Sequence, residues 1–434
     1  MTKDWQFVQI KDVCTKVYDG LHATPKKTDE GPIFLGISNL ENGRLNLSEV
    51  ERLSESDFSR WTKGVAPEPG DLVFSYETRL GQVALIPEGM RCCLGRRLAL
   101  ARPDRNKLDP KFFLYAFLSP EFQRTIQART VYGSTVDRIS VKEFPSFPIR
   151  IPPLDQQKAI AHILGTLDDK IELNQQMNRT LEGIARALFK SWFIDFDPVR
   201  GKLDGRQPVG MDAETAALFP DEFEDSALGK IPKGWKVGLL GDVVEVNSRS
   251  ITKGYPHNLI QYVDISSVTV GRLEGTTVYE LSNAPSRAKR LVQHGDTIWS
   301  GVRPNRKSYL FIHTPPQNLV VSTGFIVLSP KGISPSYLYA WVTTEEFVDY
   351  LAFNADGSAY PAVRPDRFSD AQMLIPLKVI LDKFEQQAGS IRDKIIQNEH
   401  ESIALASIRD ALLPKLLSGE IRVKEAEKIV AEVA

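Results

Sequence analysis

QQKAIAHILGTLDDKIELNQQMNRTLEGIARALFKSWF, residues 156–193, is the stretch from which the fold can be read. Within it Ile160, Leu164, Leu167, Ile171, Asn174, Asn178, Leu181, Ala185, Leu188 and Trp192 recur in alternating steps of four and three. That heptad seam predicts a helix packed along its length against another helix. Adding 224 to each position gives Phe384, Ala388, Ile391, Ile395, Asn398, Ser402, Leu405, Arg409, Leu412 and Leu416, a second seam in the same phase. The polar break returns as well, since Asn174 maps on Asn398. A polar residue inside an apolar seam costs stability and fixes register and partner. The two helices are therefore expected to pair with each other, antiparallel. Ile160, Leu164, Leu167, Ile171, Asn174, Leu181 and Leu188 line one side, and Ile391, Ile395, Asn398, Leu405 and Leu412 the other.

The repetition extends outward from the helices. Trp235 stands where Trp5 stands, and Asp242-Val243 where Asp12-Val13 does. Ile265-Ser266 repeats Ile37-Ser38, Gly271-Arg272-Leu273 repeats Gly43-Arg44-Leu45, and Gly295-Asp296 repeats Gly70-Asp71. Pro335, Gly357-Ser358 and Phe368 repeat Pro110, Gly133-Ser134 and Phe144. The offset drifts from 230 (235 minus 5) to 224 (357 minus 133), as a few small deletions would produce. Repeats of this length predict a duplicated architecture. The expected fold is α+β: two repeated globular domains and a pair of long antiparallel coiled-coil helices, related by a pseudo-two-fold. The expected segments are a first domain over 1–150, a helix over 151–194, a linker over 195–234, a second domain over 235–375, a helix over 376–420 and a tail over 421–434.

Finer elements follow from local pattern. Strands are expected at 5–10, 33–39, 72–76, 83–86 and 98–101, with turns at Asn42-Gly43 and Gly70-Asp71. Asp109-Pro110 opens a helix, Pro being tolerated in a first turn. The segment after Phe193 is rich in Pro and Gly and reads as a linker holding one short helix, 213–218.

Composition sets the class. A chain of 434 residues is too long for one ordinary core. Its 42% apolar and 25% charged residues are those of a soluble globular protein. No apolar run reaches the length of a membrane span, and residues 1–5 lack a signal-peptide core, so a cytoplasmic location away from membranes is expected. Three cysteines fit a reducing compartment, with Cys92-Cys93 as small apolar strand residues. A formal net charge of −1 argues against a uniformly basic surface and leaves room for a local basic face.

Several motifs then resemble one family, the specificity subunits of Type I restriction-modification systems. Ile151-Pro152-Pro153-Leu154-Asp155-Gln156-Gln157 resembles the lead-in to the family's first conserved helix. Asp195-Phe196-Asp197-Pro198-Val199-Arg200 and Leu218-Phe219-Pro220-Asp221-Glu222-Phe223 resemble its central region. Asp19-Gly20-Leu21-His22-Ala23-Thr24-Pro25 and Gly133-Ser134-Thr135 resemble loops of its target-recognition domains. The second helix departs, being led in by Ile375-Pro376-Leu377 without the Pro-Pro-Leu of the first. The resemblance implies two target-recognition domains, each reading half of an asymmetric, interrupted site in double-stranded DNA. It also implies docking of two methyltransferase subunits, with restriction and translocation subunits in the full complex. S-adenosylmethionine, ATP and Mg are then expected on those partners, with no cofactor in this chain.

The residues themselves carry no catalytic or metal motif. Gly201-Lys202 and Gly229-Lys230 lack the Ser or Thr of a phosphate loop, no His or Cys spacing suits zinc, and Asp195-Phe196-Asp197 reads as a solvated turn rather than a metal site. A self-sufficient methyltransferase or nuclease with duplicated recognition domains is the alternative, and a coiled-coil scaffold binding only proteins is another. Candidate DNA contacts lie in loops. In the loop 300–307 the arginines, Arg303 and Arg306, suit guanine, Asn305 adenine, and Lys307 phosphate. Tyr76 and Arg79 occupy the counterpart loop, where Glu77 suits a cytosine amine. Ser134, Thr135 and Arg138 pair with Ser358, Tyr360 and Arg364. His22, Lys26, Arg97, Lys253 and Tyr255 complete the set. Each of these also has an ordinary reading as a solvated or capping side chain.

If the paired helices set the distance between half-sites, lengthening one should lengthen the unspecified spacer. Four residues inserted near Leu154-Asp155 add roughly 6 Å at 1.5 Å per residue, against about 3.4 Å per base pair. Sequencing the sites methylated by the mutant complex should show unchanged half-sites and a spacer longer by one or two pairs. An active mutant with the original spacer would hand the ruler to the partner subunits.

Overall fold

The computed structural model describes residues 4–133, 136–357 and 360–431. The chain forms two compact units, Met1–Gln175 with Asn398–Ala434, and Gln176–Gln397. The long helices Leu154–Phe193 and Lys378–Ser418 each contribute to both units.

In the first unit an antiparallel sheet runs in the order Cys14–Asp19, Leu98–Pro103, Leu72–Ser75, Val83–Leu85. A smaller sheet has Lys27–Leu35 at its centre, antiparallel to Glu51–Leu53 and parallel to Cys92–Leu94. Gln6–Gln9 pairs with Pro148–Ile151, joining the start of the domain to the lead-in of the helix. Helix Pro110–Leu118 begins where Asp109 accepts the Phe112 N–H at 2.9 Å and buries Phe112, Phe113 and Phe117. Phe74 stacks on Phe144 at 4.3 Å between centroids in the same core. Cys92 and Cys93 lie buried in their strand, where burial pushes both thiols up to about 12.

The seam completes this core. Ile160, Leu164, Leu167 and Ile171 pack into one apolar cluster with Leu405, Leu412 and Leu416. Asn174 is 1% exposed and donates to Glu401 at 2.8 Å, with the Asn398 carbonyl at 3.4 Å. Arg409, a charged residue in the second seam, donates to Asp168 at 2.6 Å. Asp168 also accepts the Tyr115 hydroxyl at 2.7 Å. Partner numbers fall as helix numbers rise, so the helices run antiparallel.

The second unit repeats the plan. Its sheet runs Val244–Val246, Phe325–Pro330, Thr297–Ser300, Tyr309–Phe311. A second sheet again contains one parallel pair, Leu259–Val263 with Leu319–Ser322, and Lys236–Leu239 pairs with Gln372–Ile375. Here too the helices are antiparallel. Asn178 donates to the Ile395 carbonyl at 3.1 Å, and Phe189, Trp192 and Phe193 gather around Phe384. Leu181, Leu188 and Ile391 are half-buried along this stretch.

Four expectations need correction. The strand expected at 5–10 ends at Gln9, and Ile10–Val13 is a helical turn, because the Asp12 carboxylate accepts the Gln9 N–H at 2.9 Å. Asp242 does the same for Leu239 at 3.0 Å, which accounts for the repeated Asp-Val pair. The strand expected at 33–39 stops at Leu35, since Asn39 folds Ile37–Asn39 into a turn by accepting the Gly36 N–H and donating to the Asn46 and Glu49 carbonyls. The segment 195–234 is no loose linker. It forms helices Asp197–Leu203 and Ala213–Ala217 and a hairpin of Phe223–Ser226 with Gly229–Pro232. Val199, Phe219, Ile231 and Trp235 pack with Trp192 and Phe193, so burial outweighs the local Gly and Pro signals. The tail contains a helix, Val423–Ala431, whose Ala426 is wholly buried in the first unit.

Leu164 and Leu173 share a helix and differ in burial, 0% and 52% exposed. Leu164→Ala should cost about 2–5 kcal/mol in chemical unfolding, and Leu173→Ala less than about 0.5 kcal/mol. Equal losses would mean that the seam is not what holds the helix.

Candidate nucleic-acid interface

In both units the same strand of the main sheet leads to the same loop. Ser75 lies opposite Leu98 and Ser300 opposite Phe325, which aligns the two copies. Each serine hydroxyl bonds the carbonyl two residues on, Ser75 to Glu77 at 2.8 Å and Ser300 to Val302 at 2.9 Å. The third residue past each serine is left-handed, Thr78 at φ 68° and Arg303 at φ 52°. A later loop then bridges each, Arg138 to Glu77 and Ala362 to Val302. Residues with a Cβ at positive φ cost on the order of 1 kcal/mol and cluster at ligand sites. A shared strained frame thus carries different side chains in each copy.

On the first frame, Arg97 lies 3.4 Å from the Glu77 carboxylate, and its carbonyl accepts the Tyr76 N–H at 3.1 Å. His22 pairs with Asp19 at 2.9 Å and reaches the Tyr76 hydroxyl at 3.5 Å. So His22 and Arg97 meet the Tyr76-Glu77 pair, and the backbone of Arg138 bridges Glu77. Tyr76 needs correcting as a contact residue: it is 4% exposed, its ring belongs to the core, and only its hydroxyl points toward His22. Burial, with Asp19 nearby, raises its phenol well above the ordinary value, so it stays protonated. Arg79 and Arg138 are exposed. Lys26 is exposed apart from this group, while neighbouring Lys27 pairs with Glu51 at 2.6 Å. Ser134 and Thr135 lie outside the described residues.

On the second frame, the Arg303 guanidinium sits 4.7 Å from the Tyr360 ring centroid. The Arg303 N–H donates to the Pro361 carbonyl at 2.7 Å. Asn305 and Arg306 are exposed. Lys307 is committed elsewhere, donating to both Glu345 oxygens at 2.7 Å, and that carboxylate raises its pKa. Arg364 stands 3.6 Å from Asp356 and 3.7 Å from Asp366. Ser358 lies outside the described residues. Lys253 is exposed, but Tyr255 is half-buried against the cluster of Ile260 and Val320 and edge-on to His257, so its ring serves packing. Asp19 lies in a loop motif that the sequence singles out without a role for its carboxylate, and the roles of Thr78 and Glu345 carry no local signal. Backbone strain and ion pairs between distant residues leave no local pattern.

Among the described residues no cluster of three or more His, Cys, Asp or Glu side chains is placed to hold a metal ion. Asp195 accepts from Lys190, and Asp197 opens a helix. No described helix is long and apolar enough to cross a membrane.

The family model of the Type I restriction modification DNA specificity domain matches residues 2–183. The Type I restriction enzyme HindI specificity subunit of Haemophilus influenzae is 27% identical over 75% of this chain and 80% of its own length. The MjaIX specificity subunit of Methanocaldococcus jannaschii is 24% identical over 98% of this chain and 95% of its own. The crystal structure of the Type I S subunit from M. genitalium shares the fold, with a TM-score of 0.58 at 17% identity over 95% of this chain and 96% of that one. The chain is thus similar to Type I restriction-modification specificity subunits, through the family model in its first 183 residues and through relatives that span most of its length.

Glu345→Gln should release Lys307. Duplex binding should then tighten, and the slope of log K against log salt should steepen by about 1, as one added phosphate contact requires. An unchanged slope in a titration over several salt concentrations would show that Lys307 does not reach the backbone.

Proposed function

We propose that this chain is a Type I restriction-modification specificity subunit and that it reads a bipartite, asymmetric site in double-stranded DNA, one half with the loops of each unit. The observation that carries the proposal is the repeated frame. Ser75 and Ser300 anchor equivalent loops, and Thr78 and Arg303 occupy the same left-handed position. Equal backbones with unlike side chains are what two unlike half-sites call for, because base edges are read by side chains while the frame sets their approach.

In this reading the chain supplies recognition, and two methyltransferase subunits dock on it, joined by restriction and translocation subunits in the full complex. S-adenosylmethionine, ATP and Mg belong to those partners, and the assembly works in the cytoplasm. What supports the division is the chemistry of the loops: Arg, Asn, Glu and Ser in hydrogen-bonding roles, with ion pairs rather than proton-transfer pairs. Methyl transfer by the purified chain alone would favour the self-sufficient enzyme instead. A failure to shift random duplex at low salt would favour the protein-binding scaffold.

Exchanging residues 1–150 for the corresponding domain of another family member should change one half of the methylated site and leave the other half as it was. Changes in both halves would sink the one-unit, one-half-site proposal.

A further inference from the structure

The basic groups around the second frame differ in how far the fold has already used them. Lys307 spends its charge on Glu345, and Arg364 is flanked by Asp356 and Asp366. Arg306 and Asn305 are exposed, with no side-chain partner fixing them among the described residues. Among the described residues of this frame, Arg303 alone combines a held position with uncommitted donors. Its backbone is fixed in the left-handed region and tied to Pro361. Its guanidinium lies against the Tyr360 ring at 4.7 Å, and no carboxylate pairs with it among the described residues.

A ring face and a carboxylate hold an arginine in different ways. A carboxylate consumes the in-plane N–H donors. A ring attracts the cation through its face and leaves the edge of the guanidinium plane open. A planar fork of free donors at a fixed position matches the O6 and N7 acceptors of guanine in the major groove. Tyr360 is 72% exposed, an aromatic surface that contributes nothing to the core and whose one described ring contact is Arg303. The first unit carries Thr78 at the position of Arg303, and a threonine hydroxyl cannot make that fork.

The geometry points to Arg303 as the residue that selects a G·C pair in the half-site read by the second unit, with Tyr360 as the positioning residue that presents it. This rests on the reading of the chain as a DNA specificity subunit, and it adds one base pair of the target and the pair of residues responsible for it.

The test is selection of sites from a library of random duplexes by the complex of this chain with its methyltransferase subunits. Wild type, Arg303→Ala, Arg303→Gly, Tyr360→Ala and Tyr360→Phe are compared, and the exchange of residues 1–150 identifies which half belongs to which unit. The wild-type site should contain a G·C pair in the second unit's half. Both Arg303 variants should lower the preference for that pair roughly ten- to a hundredfold, with the first half read as before. Glycine accepts the left-handed backbone without strain, so agreement between the two variants excludes misfolding as the cause. Tyr360→Ala should weaken selection at the same pair, and Tyr360→Phe should restore it. A uniform loss over all sequences with a shallower salt dependence would make Arg303 a phosphate contact and overturn the inference. Unaltered selection, or a second half without a G·C pair, would overturn it as well. If the wild-type complex selected no bipartite site at all, the failure would lie with the specificity-subunit reading.

Discussion

A buried amide sets the register of the helix pairing, and the rest of the molecule depends on that pairing. Asn174 is enclosed in the seam and bonded to the opposite helix through Glu401. An apolar residue there would tolerate a slip along the helix, whereas an amide without its partner would be left buried and unsatisfied. Register matters because each unit is closed by part of each helix. Leu405, Leu412 and Leu416 complete the core that Phe74, Phe112 and Phe144 begin. Phe384 and Ala388 join the core of Trp299 and Tyr337. The first repeat therefore does not contain everything its own unit needs, and that core is finished by residues from the far end of the chain.

The two copies keep the frame while trading parts. Each main sheet carries a buried aspartate at its start, Asp71 at 2% exposed and Asp296 at 0%. Arg102 clamps Asp71 through Nε and Nη2, both at 2.8 Å. Strand register puts Ser329 where Arg102 stands, and Asp296 takes its arginine from Arg249 instead, at 2.8 Å. A buried carboxylate without a cation is costly, so loss of one arginine demands another nearby. With only one oxygen so held, burial still lifts the Asp296 pKa above its ordinary value. The ion pair survives, though its arginine now comes from the loop after Val244–Val246 instead of from the neighbouring strand.

The same logic separates frame from reader at the interface. The serine anchor, the left-handed residue and the bridge to the later loop occur in both units. Around them the side chains share almost nothing. Glu77 with Arg97 occupies one frame, and Arg303 with Tyr360 the other. A strained backbone holds the loops in place, so the contact residues can differ without disturbing the sheets beneath.

Much of this was legible from residue spacing. The heptad seams, their matched phase, the internal duplication and the loops carrying the polar candidates all lie in patterns repeated along the chain, and apolar periodicity reports burial directly. The resemblance to specificity subunits likewise rested on short motifs. Other features had no local signal. Segment 195–234 looked loose because Pro and Gly dominate it, yet Val199, Phe219 and Ile231 find Trp192 and Phe193 to cover them. The turn at Ile37–Asn39 depends on one asparagine reaching Asn46 and Glu49. Tyr76 and Tyr255 read as candidate DNA contacts, and the fold packs the rings of both. Which cation is free was also beyond the sequence, since Lys307 is neutralised by Glu345 and Arg303 is held by Tyr360. Periodicity along the chain determined which elements form and how they repeat. Proximity between residues distant in sequence, which only tertiary packing creates, decided how each unit closes and which side chains remain available to a ligand.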